Sequence, residues 1–258
     1  MENKPQFSVV IPTYNEASKR EEMKKHFESI EEYFSAKKFS YEILVVLDGP
    51  TDETPDLVKD LATKFKNVKV IDRKENKGKG HSVREGLLAA NGDIRLFTDM
   101  DGATPIAMLD RFIPKFEAGA DIVIGSRDLS GSKIKKHQPK WKEIAGDIGN
   151  LMIQLMTGLY GIKDTQCGFK AMNEKAVKDI VSRMTVERWG FDFEMLMIGN
   201  KLGYRIEQVP VDWYDKGDST VGISGYITTL KDLFTVKWNM IKGVYKLKEK
   251  MEVENKNI

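Results

Sequence analysis

Four short apolar runs, each stopped by a loop of Asp, Asn, Gly or Thr, constrain this chain more than any other feature. They are Phe7–Ile11 (FSVVI), Ile43–Leu47 (ILVVL), Val68–Ile71 (VKVI) and Ile94–Thr98 (IRLFT). Runs this short and this rich in β-branched or aromatic residues fit buried parallel strands. Helical spacing fills the gaps between them. Met23, Phe27, Ile30 and Phe34 recur at one face of a helix among charged residues, as do Thr54, Val58, Leu61 and Phe65. Val83, Leu87 and Leu88 mark a third helix. The alternation predicts an α/β fold, a mostly parallel sheet flanked by helices on both faces. Ligands of such sheets bind outside the carboxyl ends of the strands. The loops PTYNE, DGPTDET, ENKGKG and DMDGATP then open on one rim.

The last of these loops carries two acids one residue apart, Asp99 and Asp101, with Met100 between them and Gly102 after them. Hard oxygens placed at a strand end suit a divalent cation that keeps waters and shares phosphate oxygens with a substrate. The bland alternative is a turn, where Asp and Gly are common. The convergence of four such loops on one rim favours the ligand site.

Beyond it the pattern predicts a helix over Ile106–Phe116, a strand over Asp121–Gly125 and an irregular basic loop over Ser130–Lys142. A long helix is expected over Trp141–Tyr160, and a loop with a short strand over Asp164–Lys170. Helices are expected over Val177–Met184 and Phe191–Leu202, an extended edge segment over Arg205–Trp213, and a helix over Ile227–Leu247. The chain divides into a main domain over 1–222 and a C-terminal amphipathic helix and tail over 223–258 that belong to the same unit. A single cysteine, Cys167, excludes a disulfide framework and fits a reducing, cytoplasmic compartment. The net charge of +2 gives no reason to expect nucleic acid as a partner. The start MENKPQFSVV has no signal-peptide pattern. No apolar run approaches the roughly 18 residues of a spanning helix. The histidines His26, His81 and His137 lack metal-ligand spacing.

Seven motifs in order, PTYNE, LDGPTDE, NKGKG, DMDGAT, GSR, DTQCGFK and RWGFDFE, resemble family-2 glycosyltransferases of the GT-A (Rossmann-like) fold. More narrowly they resemble the polyprenyl-phosphate sugar synthases. The dolichyl-phosphate β-glucosyltransferase branch is nearest, and the dolichyl-phosphate mannose synthases come next. The resemblance implies a nucleotide-sugar donor, a UDP-sugar in the first place, and Mg²⁺ or Mn²⁺ on Asp99 and Asp101. It implies a polyprenyl or dolichyl monophosphate as acceptor, with inversion at the anomeric carbon. The product would be a lipid-linked sugar, with glucose the sugar of the nearest branch, that serves as a donor for glycosylation.

Residue by residue, Pro12, Tyr14 and Glu16 resemble nucleotide contacts, Asp48 the acid facing the base edge, and Val46 its backbone neighbour. Leu47 stands where the family usually has a second acid, and Pro50 where Ser is common. Lys79 is placed to reach phosphate, although a Gly-rich loop is often only a turn. Arg127 resembles a phosphate-binding arginine, since a guanidinium can hold phosphate bidentately. A phosphate acceptor already carries roughly −1.5 to −2 charge and needs cations more than a strong base. Arg127, Lys133, Lys135 and Lys136 are the candidate cations. Asp164, Asp192 and Glu194 are candidate acids that shape the site. Near the tail Ser219 is followed by Thr220 where the family has lysine, with Lys216 the nearest cation. Ala103 stands where the mannose synthases have Gln, which points to the glucose-type branch.

A lipid acceptor implies peripheral contact at the cytoplasmic face of a membrane, through Trp141–Tyr160 or Ile227–Leu247. Four rival readings stay open: a mannose or N-acetylglucosamine synthase, a transferase acting on a sugar hydroxyl with a firm general base, a sugar nucleotidyltransferase, and a nucleotide-sugar binding module without transfer.

Overall fold

A computed structural model of the chain describes residues 4–65, 67–134, 140–214 and 223–247, with the backbone alone for 140–145, 147, 223–224 and 226. Expectations attached to Lys135, Lys136, His137, Lys216, Ser219, Thr220 and the tail beyond Leu247 lie outside the described residues, as does the side chain of Trp141.

The strands are β1 (Phe7–Thr13), β2 (Tyr41–Asp48), β3 (Val68–Arg73), β4 (Ile94–Thr98), β5 (Ile122–Ser126), β6 (Lys133–Ile134), β7 (Phe169–Asn173), β8 (Ile206–Pro210) and β9 (Asp212–Trp213). The helices are α1 (Arg20–Lys37), α2 (Thr54–Lys64), α3 (Lys79–Ala89), α4 (Leu109–Glu117), α5 (Lys140–Thr157), α6 (Glu174–Ala176), α7 (Phe191–Lys201) and α8 (Ile223–Ile241). A π-helical turn, Val177–Val181, follows α6. Seven strands form one sheet in the order β3-β2-β1-β4-β7-β5-β8. All its pairings are parallel except those of β7, which runs antiparallel to both β4 and β5.

The sheet is buried on both faces because successive side chains of its inner strands point to opposite sides. Val9, Ile11, Ile43, Val45 and Leu47 enter one core with Phe27 and Phe34 of α1, Val58 of α2 and Phe112 of α4. Val10, Leu44 and Val46 enter the other with Val83 and Leu87 of α3 and Phe193 of α7. Helices α1 and α2 therefore cover one face and α3 the other. The crossover from β2 to β3 moves outward, and the next one returns past β1 to β4. The strand order thus reverses between β1 and β4, and a cleft opens outside their carboxyl ends, where parallel α/β sheets hold ligands.

Three sequence expectations need correction. The basic stretch over Ser130–Lys142 is not irregular throughout. Lys133 and Ile134 form β6, which pairs with Asp212 and Trp213, and α5 begins at Lys140. Val177–Met184 is not one α-helix: Val177–Val181 is a π-helical turn that continues the α-turn of Glu174–Ala176. The C-terminal helix stops at Ile241 instead of Leu247. Arg205–Trp213 is extended as expected, with β8 at the sheet edge and Pro210 as its last residue. That position suits a residue with no N–H to give the ladder.

Helices α5 and α8 pack together, tied by Lys237 Nζ donating to the Met156 carbonyl at 3.0 Å. Ile148, Leu151 and Leu155 of α5 and Ile227, Leu230, Phe234, Trp238 and Ile241 of α8 are exposed. No helix among the described residues is long and apolar enough to cross a membrane.

Candidate active site

Loops are knitted together before any ligand is considered. Asn15 and Thr51 bond reciprocally: Thr51 N–H donates to Asn15 Oδ1 at 2.8 Å, and Asn15 Nδ2 donates to Thr51 Oγ1 at 3.1 Å. Glu16 N–H donates to Thr54 Oγ1 and Ala17 N–H to Asp52 Oδ2. These bonds fix the loop after β1 against the loop after β2. Tyr14, between Thr13 and Asn15, stays exposed, whereas Pro12 and Val46 are buried within their strands.

Asp48, at the end of β2, is buried and fully engaged. Its oxygens accept the backbone N–H groups of Lys77 and Gly78, each at 2.8 Å, and it ion-pairs with Arg73 from the end of β3. Arg73 also donates to Ser82 Oγ at 2.6 Å and Glu85 Oε2 at 2.7 Å. Asp48 thus pins the NKGKG loop that starts α3 and places Lys79 over the cleft. Arg73 was not singled out in the sequence. Its only signal is a cation at the carboxyl end of a strand.

Asp99 and Asp101 follow β4 as expected. The turn closes through Gly102, at φ +61°, and Asp101 Oδ1 accepts the Ala103 N–H at 2.8 Å. Asp99 Oδ1 is buried and takes no well-aligned hydrogen bond; its neighbour is the Lys79 ammonium, at 2.6 Å. Asp99 Oδ2 lies against Gly168 of DTQCGFK, where a Cβ would stand 2.0 Å away. Only glycine admits the carboxylate there. The antiparallel strand β7 places it so, since Phe169 pairs with Thr98, the residue before Asp99. Met100 is buried beneath the turn.

Burial, and then the neighbouring Asp99 charge, raise the Asp101 carboxyl above its ordinary range. Burial raises Glu16 as well, against the pull of Lys19 at 3.1 Å, with Asp101 and Asp99 adding to the rise. Crowded, partly desolvated carboxylates of this kind favour a cation among them. For Lys79, burial works against its charge, but Asp99, Asp192 and Asp101 together hold its pKa above the ordinary value.

A second lysine, Lys170 on β7, is fully buried. Its Nζ donates to Asp192 Oδ1 at 2.5 Å and to the Cys167 carbonyl at 2.6 Å, and it lies 5.4 Å from the Phe97 ring centroid. Burial raises the Asp192 carboxyl, opposed by Lys170 and Lys79. Lys170 escaped the sequence reading, although a cation inside the apolar strand FKAMN signals a buried partner.

Arg127 follows β5 and meets Asp164 in a bidentate pair. Nε donates to Oδ2 at 2.7 Å, Nη2 to Oδ1 at 3.0 Å, and the Arg127 backbone N–H to Oδ2 at 3.0 Å. Asp164 would be pushed up by burial, but Arg127 brings it down to about 2. The guanidinium lies 5.5 Å from the Trp213 ring centroid. Trp213 belongs to β9, next to Tyr214, whose N–H donates to the Ala103 carbonyl at 2.9 Å. The segment over 212–214 thereby bridges Arg127 to the Asp99–Asp101 turn. Lys133 sits on β6 as an exposed side chain.

Glu194, a candidate acid that shapes the site, is a hydrogen-bonded structural centre. It accepts from Thr185 N–H, Thr185 Oγ1, Val186 N–H and Tyr245 O–H, which tie the segment before Trp189 to the chain just past α8. Cys167 is buried, and burial pushes its thiol up to about 12, so it is packed rather than nucleophilic.

The donors at the turn fit a divalent cation. They are hard oxygens on two carboxylates one residue apart, with Asp99 seated against Gly168 and beside the Lys79 ammonium. No cluster of three or more metal-ligating side chains occurs among the described residues. A cation there would complete its shell with water and ligand oxygens.

Comparison with known proteins agrees with this geometry. The chain matches the family model described as glycosyl transferase family 2 over residues 8–181. It is 34% identical over 246 residues to a dolichyl-phosphate beta-glucosyltransferase of Trichomonas vaginalis, covering 91% of this chain and 74% of that protein. It is 30% identical over 260 residues to the dolichyl-phosphate beta-glucosyltransferase of Mus musculus, covering 95% and 78%. Among solved structures it is similar to a mannosyltransferase of Pyrobaculum calidifontis in complex with GDP-Man and Mn²⁺, with TM-score 0.61, 20% identity and coverage of 91% and 64%. It is also similar to the glucosyl-3-phosphoglycerate synthase of Mycobacterium tuberculosis in complex with Mn²⁺, UDP and phosphoglyceric acid, with TM-score 0.62, 18% identity and coverage of 90% and 78%. These two likenesses concern the fold, and the expected GT-A architecture agrees with them. The chain belongs to glycosyl transferase family 2 and is a glycosyltransferase.

Proposed function

We propose that this protein transfers glucose from UDP-glucose to dolichyl or polyprenyl monophosphate, with inversion at the anomeric carbon. The observation that carries the reading is the Asp99–Asp101 turn, set at the strand-order reversal and cradled by Gly168. The names of the relatives supply the sugar and the acceptor.

The acceptor phosphate oxygen attacks the sugar C1, and the bond from C1 to the diphosphate breaks. Charge grows on the leaving diphosphate. Asp101 and Asp99 would hold a divalent cation, Mg²⁺ or Mn²⁺, which would supply Lewis-acid relief of that charge. Lys79 stands beside the same carboxylates and reaches the donor phosphates by a short side-chain rotation. Tyr14 offers an exposed ring to the nucleoside, and Pro12, Glu16, Val46 and Met100 line or support the donor side of the cleft. Asp48 acts there by holding the loop that carries Lys79. The acceptor is already anionic, so the site needs cations more than a base. Arg127 commits its Nε–Nη2 edge to Asp164, leaving the remaining N–H groups to a phosphate. Lys133 adds positive charge on the same side. Asp192 and Lys170 hold β7, and with it Gly168, against Asp99.

The exposed face of α5 and α8 supports peripheral membrane contact. Phe234, Trp238 and Ile241 are each more than half exposed, at 61%, 57% and 67%. An amphipathic pair with such a face lies in an interface rather than across it. It brings the chain to the cytoplasmic surface, where a lipid phosphate is presented.

The test supplies short-chain dolichyl phosphate and a panel of labelled UDP- and GDP-sugars with Mg²⁺ or Mn²⁺. UDP-glucose should give a lipid-extractable product, and Asp101→Ala should abolish it. Transfer only from GDP-mannose would move the protein to the mannose branch, and transfer only to free sugars would sink the reading.

A further inference from the structure

A cavity is lined in part by residues 182–185, ahead of Trp189 in the chain. It has a volume of about 510 Å³ and is bounded by the middle of α3, the turn after the π-helical segment, and the chain just past α8. That size is ordinary for a small-ligand pocket. Arg84, Arg183 and Lys246 line it together with the hydroxyls of Ser182, Thr185 and Tyr245, and no acid does. None of these residues belongs to the rim around Asp99 and Asp101. Arg84 is five residues past Lys79 on α3, a rise of about 7.5 Å along the helix.

The cations are uncompensated. Among the described residues neither Arg84 nor Lys246 takes part in an ion pair. Arg183 Nη1 donates to the Asp179 carbonyl at 2.5 Å, but its Nε is buried without a partner. That leaves Arg84, Lys246 and the second Arg183 Nη without an ion-pair partner among the described residues. Glu194, the acid behind this wall, makes no ion pair with these three cations. Its two oxygens are taken by the N–H groups of Thr185 and Val186 and the hydroxyls of Thr185 and Tyr245.

We propose that this cavity is a binding site for a phosphate monoester, separate from the transferase cleft. Two arginines and a lysine suit a compact dianion with several acceptor oxygens; the hydroxyl protons of Ser182, Thr185 and Tyr245 are already given to the Lys178 carbonyl and to Glu194. Two sources offer that chemistry: a free phosphorylated metabolite, or the headgroup of an anionic lipid such as phosphatidic acid. The position accommodates either. The exposed stripe of Ile227, Leu230, Phe234, Trp238 and Ile241 on α8 continues to Val244, which itself lines the cavity.

Inorganic phosphate titrated into the full-length, isotope-labelled protein should shift the amides of residues 182–185 and 244–246. The double variant Arg84→Gln/Lys246→Gln should weaken that binding about a hundredfold, roughly tenfold for each charge-assisted contact. Its melting temperature and its affinity for UDP with Mg²⁺ should stay unchanged, and Arg84→Lys/Lys246→Arg should keep the phosphate response. Phosphatidylcholine vesicles with and without phosphatidic acid form the second arm. Extra sedimentation on phosphatidic acid that the double variant loses assigns the headgroup as the source. Equal sedimentation of both proteins, with the phosphate response intact, assigns a free phosphoester. Amides unmoved by phosphate, or moved equally in the double variant, would overturn the proposal. Neither outcome bears on sugar transfer, whose assay uses other residues.

Discussion

Two lysine–aspartate pairs flank the same turn, and their exposure separates them. Lys79 and Asp99 meet at 2.6 Å with side chains 28% and 33% exposed. Lys170 and Asp192 meet at 2.5 Å with 0% and 9% exposed. A buried pair is costly to form, but once formed neither partner can leave, because a lone buried charge is worse still. A partly solvated pair gains little from association and can exchange partners. The comparison teaches a division of labour. Lys170–Asp192 holds β7 in place, whereas Lys79–Asp99 is free to reorganise around a donor and its cation.

The sharpest break of this comparison is Lys170→Met, which leaves Asp192 buried and unpaired. It should lower stability by about 3–5 kcal/mol in urea unfolding, whereas Lys79→Met, in a pair that keeps contact with solvent, should cost clearly less. Equal losses would erase the distinction. Activity should show the opposite order of directness. Asp101→Asn, which keeps size and the Ala103 contact, should reduce turnover about 10²–10³-fold with an unchanged melting temperature. On the outer surface, Phe234→Glu/Trp238→Glu should weaken vesicle binding by at least about tenfold, since each buried aromatic contributes about 1.5–3 kcal/mol. Transfer to a short, water-soluble polyprenyl phosphate should persist in that variant. Retained vesicle binding would move the membrane contact elsewhere.

Acid titration distinguishes a third pair, Arg127–Asp164. The folded pKa of Asp164 is depressed to about 2, below the roughly 3.9 of an unfolded aspartate. Its contribution is therefore fully present above about pH 4 and is lost as pH falls toward 2. Unfolding measured across that window should show a smaller slope for Asp164→Asn than for the parent protein. An identical slope would mean that the pair does not hold the loop after β5.

The first half of the sheet was legible because its signals are local. Each apolar run from Phe7 to Thr98 ends at its own turn residues, and each helix shows its own stripe. Asp99, Asp101 and Arg127 were legible for the same reason, as strand-end residues. What escaped depends on partners far along the chain. The direction of β7 is not written in FKAMN, yet it sets Gly168 against Asp99. The resemblance makes Asp48 an acid at the base edge, and nothing local in the sequence shows that Arg73 and the Lys77–Gly78 backbone engage its oxygens. Lys133 and Ile134 read as loop because their strand is two residues long and its partner lies at 212–213. Glu194 reads as an acid that shapes the site, and only the fold shows that Tyr245, 51 residues on, is one of its partners.

The most direct test of the central claim is extraction of labelled lipid from reactions of UDP-glucose and dolichyl phosphate with Mn²⁺, run in parallel on the parent protein and on Asp101→Asn at matched stability. The account predicts glucosyl-lipid from the parent and a loss of about 10²–10³-fold in the variant. Equal product from both proteins, or none from the parent with any nucleotide-sugar, would contradict it.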